Sequence, residues 1–242
     1  MSVAAPPSRD TLLGGDLVLW QPARGHGYRT NLDPVLLAGF VLPARRVLDL
    51  GAGCGVVGLL LLKMGKALEV TAVEVQPELA ELAAKNVVDN RLEAAMQVRT
   101  GDLRTLDLGV FDAVVFNPPY FRAAHGRRPP EPGRATGRYE THGTLADFIS
   151  AGMRALDLRG RMSAIVPTAR LGEVRRALAA DDAGLERVRP VCSRAGSASR
   201  LAVWQAARQR ASAREVTSEA PIVVHAGVGR EYAAEVRGWL RE

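Results

Sequence analysis

The stretch FDAVVFNPPYF, residues 111–121, ends a run of strand formers with an amide, two prolines and two aromatics. Asn117 and Pro118 each precede a proline, which biases both toward extended backbone. Pro119 has no N–H to give to a ladder. The side-chain oxygen of Asn117 and the carbonyl of Pro118 are therefore expected as two rigid, neighbouring acceptors at a strand end, fixed before any ligand arrives. Tyr120 follows with a flat face, and stacking a base on such a ring is worth about 1–3 kcal/mol. This set suits a planar nitrogen. Gripping its N–H groups out of the ring plane draws the nitrogen toward sp3 and aims its lone pair at an incoming carbon. Phe121 either assists or buries itself. His125 and His142 lie nearby and read as surface histidines rather than bases.

A second constellation is LDLGAGCGVVG, residues 48–58. Gly53, Gly55 and Gly58 satisfy G-x-G-x-x-G, and Glu74 follows about twenty residues later, as in a dinucleotide fingerprint. Two details argue against a nicotinamide enzyme. Asp49 stands before the first glycine, where it would repel a pyrophosphate and attract a sulfonium or an α-ammonium group. The Asn-Pro-Pro-Tyr run has no part in hydride transfer. The plain alternative is that the glycines make only a tight turn and Glu74 only caps a helix.

These groups need a scaffold, and the hydrophobic pattern supplies one. Strands are expected at 45–50, 68–75, 95–100, 111–116 and 161–166, with an antiparallel pair at 185–191 and 201–207. Helices are expected at 56–64, at 77–90 with Pro77 in the first turn and Glu78 and Glu81 near the positive end, at 145–156, and from the fifth strand to about residue 180. A short strand, IVVH, and a helix from about Glu231 close the chain. Alternation of this kind predicts an open, mostly parallel α/β sheet, whose ligands sit beyond the carboxyl ends of the strands. The motifs DLGAGCG, EVQ, GDL and NPPY all fall just past such ends.

The bulk properties narrow the classes. The chain has 242 residues, 47% of them hydrophobic, enough for one sizeable core. It opens with no signal-peptide pattern, and the apolar run at 56–62 is too short to span a bilayer. Its two cysteines form neither a disulfide framework nor a zinc pattern, so no metal is expected. A cytoplasmic protein is the default, and nothing in the sequence demands more than a monomer. A net charge of +6 favours polyanionic partners.

D-x-G-x-G-x-G with a downstream acid, then GD, then NPPY, resembles the class I methyltransferases that use S-adenosylmethionine (SAM). The resemblance implies a Rossmann-like α/β fold, with a mostly parallel seven-stranded sheet and helices on both faces. It also implies SAM as cofactor. Asp49, Gly51, Gly53 and Gly55 would line its methionine end, with Glu74 and Val75 at the ribose. Asp102 and Leu103 would flank the adenine, Asp102 accepting from its amino group. Asn117, Pro118, Pro119 and Tyr120 would be catalytic, with Asn117 also near the cofactor.

HGYRTNLDPVLLAGF before the first strand, GRYETHGTLADFI after the irregular loop and the C-terminal PIVVHAGVGREYAAEVRGWL add a finer resemblance. With the core motifs they resemble the bacterial valine-tRNA (adenine-37-N6)-methyltransferases, from about Leu12 onward. This implies methyl transfer to N6 of an adenine in tRNA, with tRNA rather than DNA or a membrane as partner. Thr30 and Asp33 are carried over as cofactor neighbours; Asp33 is equally a helix N-cap with Pro34 at the first helical position. The expected organisation is an N-terminus without fixed structure at 1–11 and one domain at 12–242. That domain has a cap segment at 12–44, a basic loop at 122–143 and a C-terminal extension at 208–242. In the loop, Arg122, Arg127, Arg128, Arg134 and Arg138 would grip RNA, the alternative being a solvated basic loop.

NPPY specifies a planar nitrogen, not which one. A protein glutamine, as in methyltransferases of release factors, a ribosomal RNA or a small molecule are the rival acceptors. A non-catalytic RNA- or nicotinamide-binding protein is the rival of another class. The glutamine enzymes usually carry a separate helical domain, for which the roughly forty residues before the first strand are expected to be too few.

Overall fold

A computed structural model describes residues 6–25, 29–118, 143–208 and 216–242. Its organising feature is a sheet built from β3 (Ala44–Leu50), β4 (Ala67–Glu74), β5 (Met96–Thr100), β6 (Phe111–Phe116), β7 (Leu156–Pro167), β8 (Ala183–Cys192) and β9 (Ser199–Arg208). These are the seven strands expected. Two two-residue strands, β10 (Thr217–Ser218) and β11 (Ile222–Val223), add to the outer edge of β8. The order is β10–β8–β9–β7–β6–β3–β4–β5, with β11 also on β8. All neighbours are parallel except β9, which runs against β7 and β8.

Period-2 alternation splits the core between the two faces of the sheet. Val47, Ala113 and Val115 face one cluster, with residues of α1 (Asp33–Phe40), α2 (Val56–Lys63) and α3 (Pro77–Asp89). Leu48, Leu50, Val114 and Phe116 face the other, with residues of α4 (Leu145–Ala155) and α5 (Leu171–Ala180). Each strand therefore reads as a nearly continuous apolar run, the mark of a sheet covered on both sides. Helix α3 starts at Pro77 and buries Ala80, Ala83, Asn86 and Val87 along one stripe. A last helix, α6 (Ala234–Leu240), buries Val236 and Leu240. No helix among the described residues is long and apolar enough to cross a membrane.

Three elements differ from expectation. Ser8–Leu12, all but its last residue inside the segment read as unstructured, forms β1 and pairs antiparallel with β2 (Leu17–Gln21) in a separate hairpin. Strand β7 starts five residues earlier than expected because α4 passes into it with no intervening turn. The last helix starts at Ala234 rather than 231, because Tyr232 is bridged to His225.

Candidate active site

Strand register brings the chemistry to one edge. Leu50 at the end of β3 lies opposite Val73 of β4 and Phe116 of β6, and Glu74 lies opposite Thr100 of β5. Gly51, Val75, Gly101 and Asn117 are thus the first residues beyond four adjacent parallel strands, about 4.8 Å apart. Two bonds fix the edge: Ala52 N donates to Val73 O at 3.0 Å, and Gly101 N to Glu74 O at 2.9 Å.

The glycine turn needs left-handed backbone, with φ of 63° at Gly51 and 57° at Gly53. The two positions differ in their surroundings. A Cβ at Gly51 would stand 2.7 Å from the Phe148 ring, whereas one at Gly53 would meet nothing within 4 Å. Gly51 is pinned against protein, and Gly53 opens onto space.

Two buried carboxylates hold this turn. Asp49 is 1% exposed, and its Oδ2 accepts from Gly58 N in the first turn of α2 at 3.0 Å. Glu74 is 4% exposed; its Oε2 accepts from Gly53 N at 2.8 Å and its Oε1 from Gln76 N at 2.9 Å. Burial pushes the Asp49 carboxyl up to about 7; the Gly58 N–H opposes this and the Glu74 charge adds to it. Burial likewise pushes the Cys54 thiol up to about 12, with the charges of Asp49 and Glu74 adding and that of Arg29 opposing. Two acids packed around an open glycine turn make a place for a cation, not for a pyrophosphate. Glu74 braces the turn through both of its carboxylate oxygens.

On the neighbouring strand end, Asn117 is half-buried and Pro118 buried. Beneath them Phe116 packs against Phe148, with ring centroids 5.4 Å apart, and edge-on against Trp204 at 5.7 Å. Phe148 is carried by α4, which starts with a capping box: Thr144 Oγ1 accepts from Asp147 N, and Asp147 Oδ2 from Thr144 N.

Other expected residues sit differently. The Asp102 carboxylate meets the Arg104 guanidinium, with Nε at 2.9 Å, and also accepts from Arg104 N. It thus has a protein partner where an adenine amino group was expected. The Leu103 side chain is buried in the core beside α4. Asp33 is the first residue of α1, not its cap; its own N–H donates to Asn31 Oδ1 at 3.0 Å. Thr30 N donates to Gln21 Oε1 at 2.7 Å, which ties the segment before α1 to the hairpin. Pro119, Tyr120, Phe121, His125, His142 and the arginines Arg122, Arg127, Arg128, Arg134 and Arg138 lie outside the described residues.

The sequence reading missed how the hairpin is fastened. Asn86 of α3 accepts from Trp20 N at 2.6 Å and donates to Trp20 O at 3.0 Å and to Cys54 O, within the glycine turn, at 2.9 Å. Asn90, four residues on, accepts from Val18 N at 2.9 Å and donates to Val18 O at 2.7 Å. Two side-chain amides thus act as a surrogate strand, bonding alternate residues of β2. The signal was available: Asn86 and Asn90 interrupt the apolar stripe of α3 at i, i+4 spacing.

Comparison with known proteins agrees with this geometry. Residues 33–129 match the family described as the methyltransferase small domain. A protein of Flavobacteriaceae bacterium (strain 3519-10) named tRNA1(Val) (adenine(37)-N6)-methyltransferase is 32% identical over 143 residues, 58% of this chain and 60% of the relative. One of the same name from Aeromonas hydrophila is 32% identical over 149 residues, 60% of this chain and 62% of the relative. The chain thus spans about 60% of the length of these curated relatives. Among solved structures, a "predicted O-methyltransferase" from Agrobacterium tumefaciens superposes with a TM-score of 0.68 at 23% identity, covering 86% of this chain and 95% of that one. The tRNA m1G37 methyltransferase of M. jannaschii gives 0.61 at 15% identity, over 87% of this chain and 59% of that one. The chain has the class I methyltransferase fold, and its glycine turn, Glu74 and Asn117 all lie within the region that matches the methyltransferase small domain family.

Proposed function

We propose that the protein moves a methyl group from SAM to the exocyclic N6 of an adenine in tRNA, at position 37 of a valine tRNA. One observation carries the reading: Asn117-Pro118 stands one strand from the Asp49–Glu74 glycine turn, on the same sheet edge. An amine gripped there lies beside a site suited to a cation. The names of the relatives support adenine N6 and tRNA as the acceptor.

The residues present fit the cofactor. Gly53 leaves room for a ligand, and Asp49 and Glu74 supply buried negative charge beside it. SAM, when bound, supplies an electrophilic methyl group on a sulfonium. Asp49 with Gly51, Gly53 and Gly55 would hold the cationic methionine end, and Glu74 with Val75 the ribose hydroxyls through charge-assisted hydrogen bonds. Asp102, Leu103, Thr30 and Asp33 would border the rest. The Asn117 side-chain oxygen and the Pro118 carbonyl would accept the two N–H groups of the adenine amine and turn its lone pair toward the methyl carbon. Tyr120 would stack on the base. No strong base is required, because nitrogen alkylation makes the amine proton acidic enough to leave to water.

The test compares tRNA nucleosides from cells with and without the gene. The reading expects N6-methyladenosine at position 37 of a valine tRNA to vanish with the gene. Unchanged N6-methyladenosine in every tRNA would overturn it.

A further inference from the structure

Strand β6 divides the carboxyl edge of the sheet. On one side, β3 and β4 carry Asp49 and Glu74, the acids of the glycine-turn site. On the other side, β7 ends at Pro167 opposite Leu201, and β8 ends at Cys192 opposite Ser199 and Val223. Segments 193–200 and 224–232 therefore emerge on the same edge as Asn117, with Arg200 two strands from β6, residue 193 three and residue 224 four, or roughly 10–19 Å across the sheet.

Their chemistry is one-sided. Residues 193–200 and 224–230 contain Arg194, Arg200 and Arg230 and no Asp or Glu. The nearest acids are occupied: Glu231 accepts from Arg237 at 3.2 Å, and Glu235 from Arg189 at 2.7 Å.

The segments are also pre-shaped. Arg194 donates from Nε to Gly227 O at 2.6 Å, and from Nη2 to Val228 O at 2.9 Å and Gly229 O at 3.0 Å. His225 and Tyr232 bridge and stack, with centroids 5.5 Å apart and planes 12° from parallel. The turn between them holds Val228 97% exposed. Arg200 sits at a register shift, where Val191 pairs with Leu201 and Cys192 with Ser199, so a bulge projects it from the strand. Among the described residues, the side chains of Arg200 and Arg230 make no hydrogen bond and no ion pair.

We propose that segments 193–200 and 224–232 form a basic platform for the phosphate backbone of the RNA whose adenine is held at Asn117. Arg200 and Arg230 contact phosphates, and Arg194 braces the turn that carries Arg230. The proposal rests on the RNA reading above. An exposed arginine set whose one acid, Glu231, is paired with Arg237 complements a polyanion, and releasing counterions from it makes binding salt-dependent.

The test measures total-tRNA affinity across a salt series for the wild type and for the Arg200→Glu, Arg230→Glu double variant. SAM-induced thermal stabilisation reports that the variant is folded. The Arg45→Glu, Arg159→Glu double variant, on the opposite edge, controls for the same change in net charge. The platform predicts at least a tenfold weaker affinity, and a log–log salt slope shallower by about 1.4–1.8 for two lost phosphate contacts. It also predicts little change in the control. It is overturned by an unchanged slope, by equal loss in the control, or by a wild type that binds no tRNA. Methyl transfer by the wild type, assayed alongside, judges the proposed reaction separately: a wild type that methylates tRNA beside a double variant with an unchanged slope rejects the platform alone.

Discussion

Asp49 and Glu74, on adjacent strands, grip the two ends of one glycine turn: Asp49 holds Gly58 N at 3.0 Å and Glu74 holds Gly53 N at 2.8 Å. Among the described residues no cationic side chain hydrogen-bonds to either carboxylate, and both are almost fully enclosed. The turn is thereby shaped, and under the proposed function the cationic end of SAM would sit beside these two acids, which would couple binding to protonation.

That coupling has a sign. Burial raises the Asp49 carboxyl from 3.8 to about 7, so the folded protein keeps a proton that the unfolded chain has lost. Its contribution to stability therefore falls as pH rises from about 4 to about 7, by at most about 1.4 kcal/mol per pH unit, and levels off above. A cation selects the ionised form, so SAM affinity should rise with pH across the same window, by up to about tenfold per unit. Asp49→Asn, which keeps an acceptor for Gly58, should bind SAM weakly and lose this dependence. Calorimetric titration of both proteins at pH 5, 6 and 7 checks it, and parallel pH profiles would refute the role given to Asp49.

The two left-handed glycines should separate fold from ligand. Gly51→Ala forces a Cβ into the Phe148 ring and should cost about 2–4 kcal/mol of stability. Gly53→Ala meets open space and should cost only the backbone strain of about 1–2 kcal/mol, yet weaken SAM binding at least tenfold. Urea denaturation and SAM titration of the pair measure both effects. Normal SAM affinity in Gly53→Ala would show that the open side of the turn is not where the cofactor lies.

Asn86 is expected to matter more than its type suggests. Replacing it with Leu strands Trp20 N, Trp20 O and Cys54 O, and should lower stability by about 2–4 kcal/mol. Glu81→Ala on the exposed face of the same helix touches neither the hairpin nor the glycine turn and should cost under about 0.5 kcal/mol. Equal effects in urea denaturation would mean that the amide bracket does not hold the hairpin.

Local pattern marked the sheet and the glycine turn well, because glycine, β-branched residues and period-2 alternation act within a few positions. What it missed depends on distant partners. SRDTL, residues 8–12, has little strand character of its own; β2 pairs with it, and β2 is held in turn by Asn86 and Asn90. Phe148 gave no sign of lying over Gly51, because that contact joins α4 to the turn after β3 across nearly a hundred residues.

The most direct measurement incubates purified protein with SAM and tRNA lacking the modification, then reads nucleosides by mass spectrometry, for the wild type and for Asn117→Ala. The account predicts new N6-methyladenosine with the wild type. It predicts almost none with the variant, although the variant binds SAM normally. Methyl groups appearing in protein instead of tRNA, or near-normal turnover in Asn117→Ala, would contradict it.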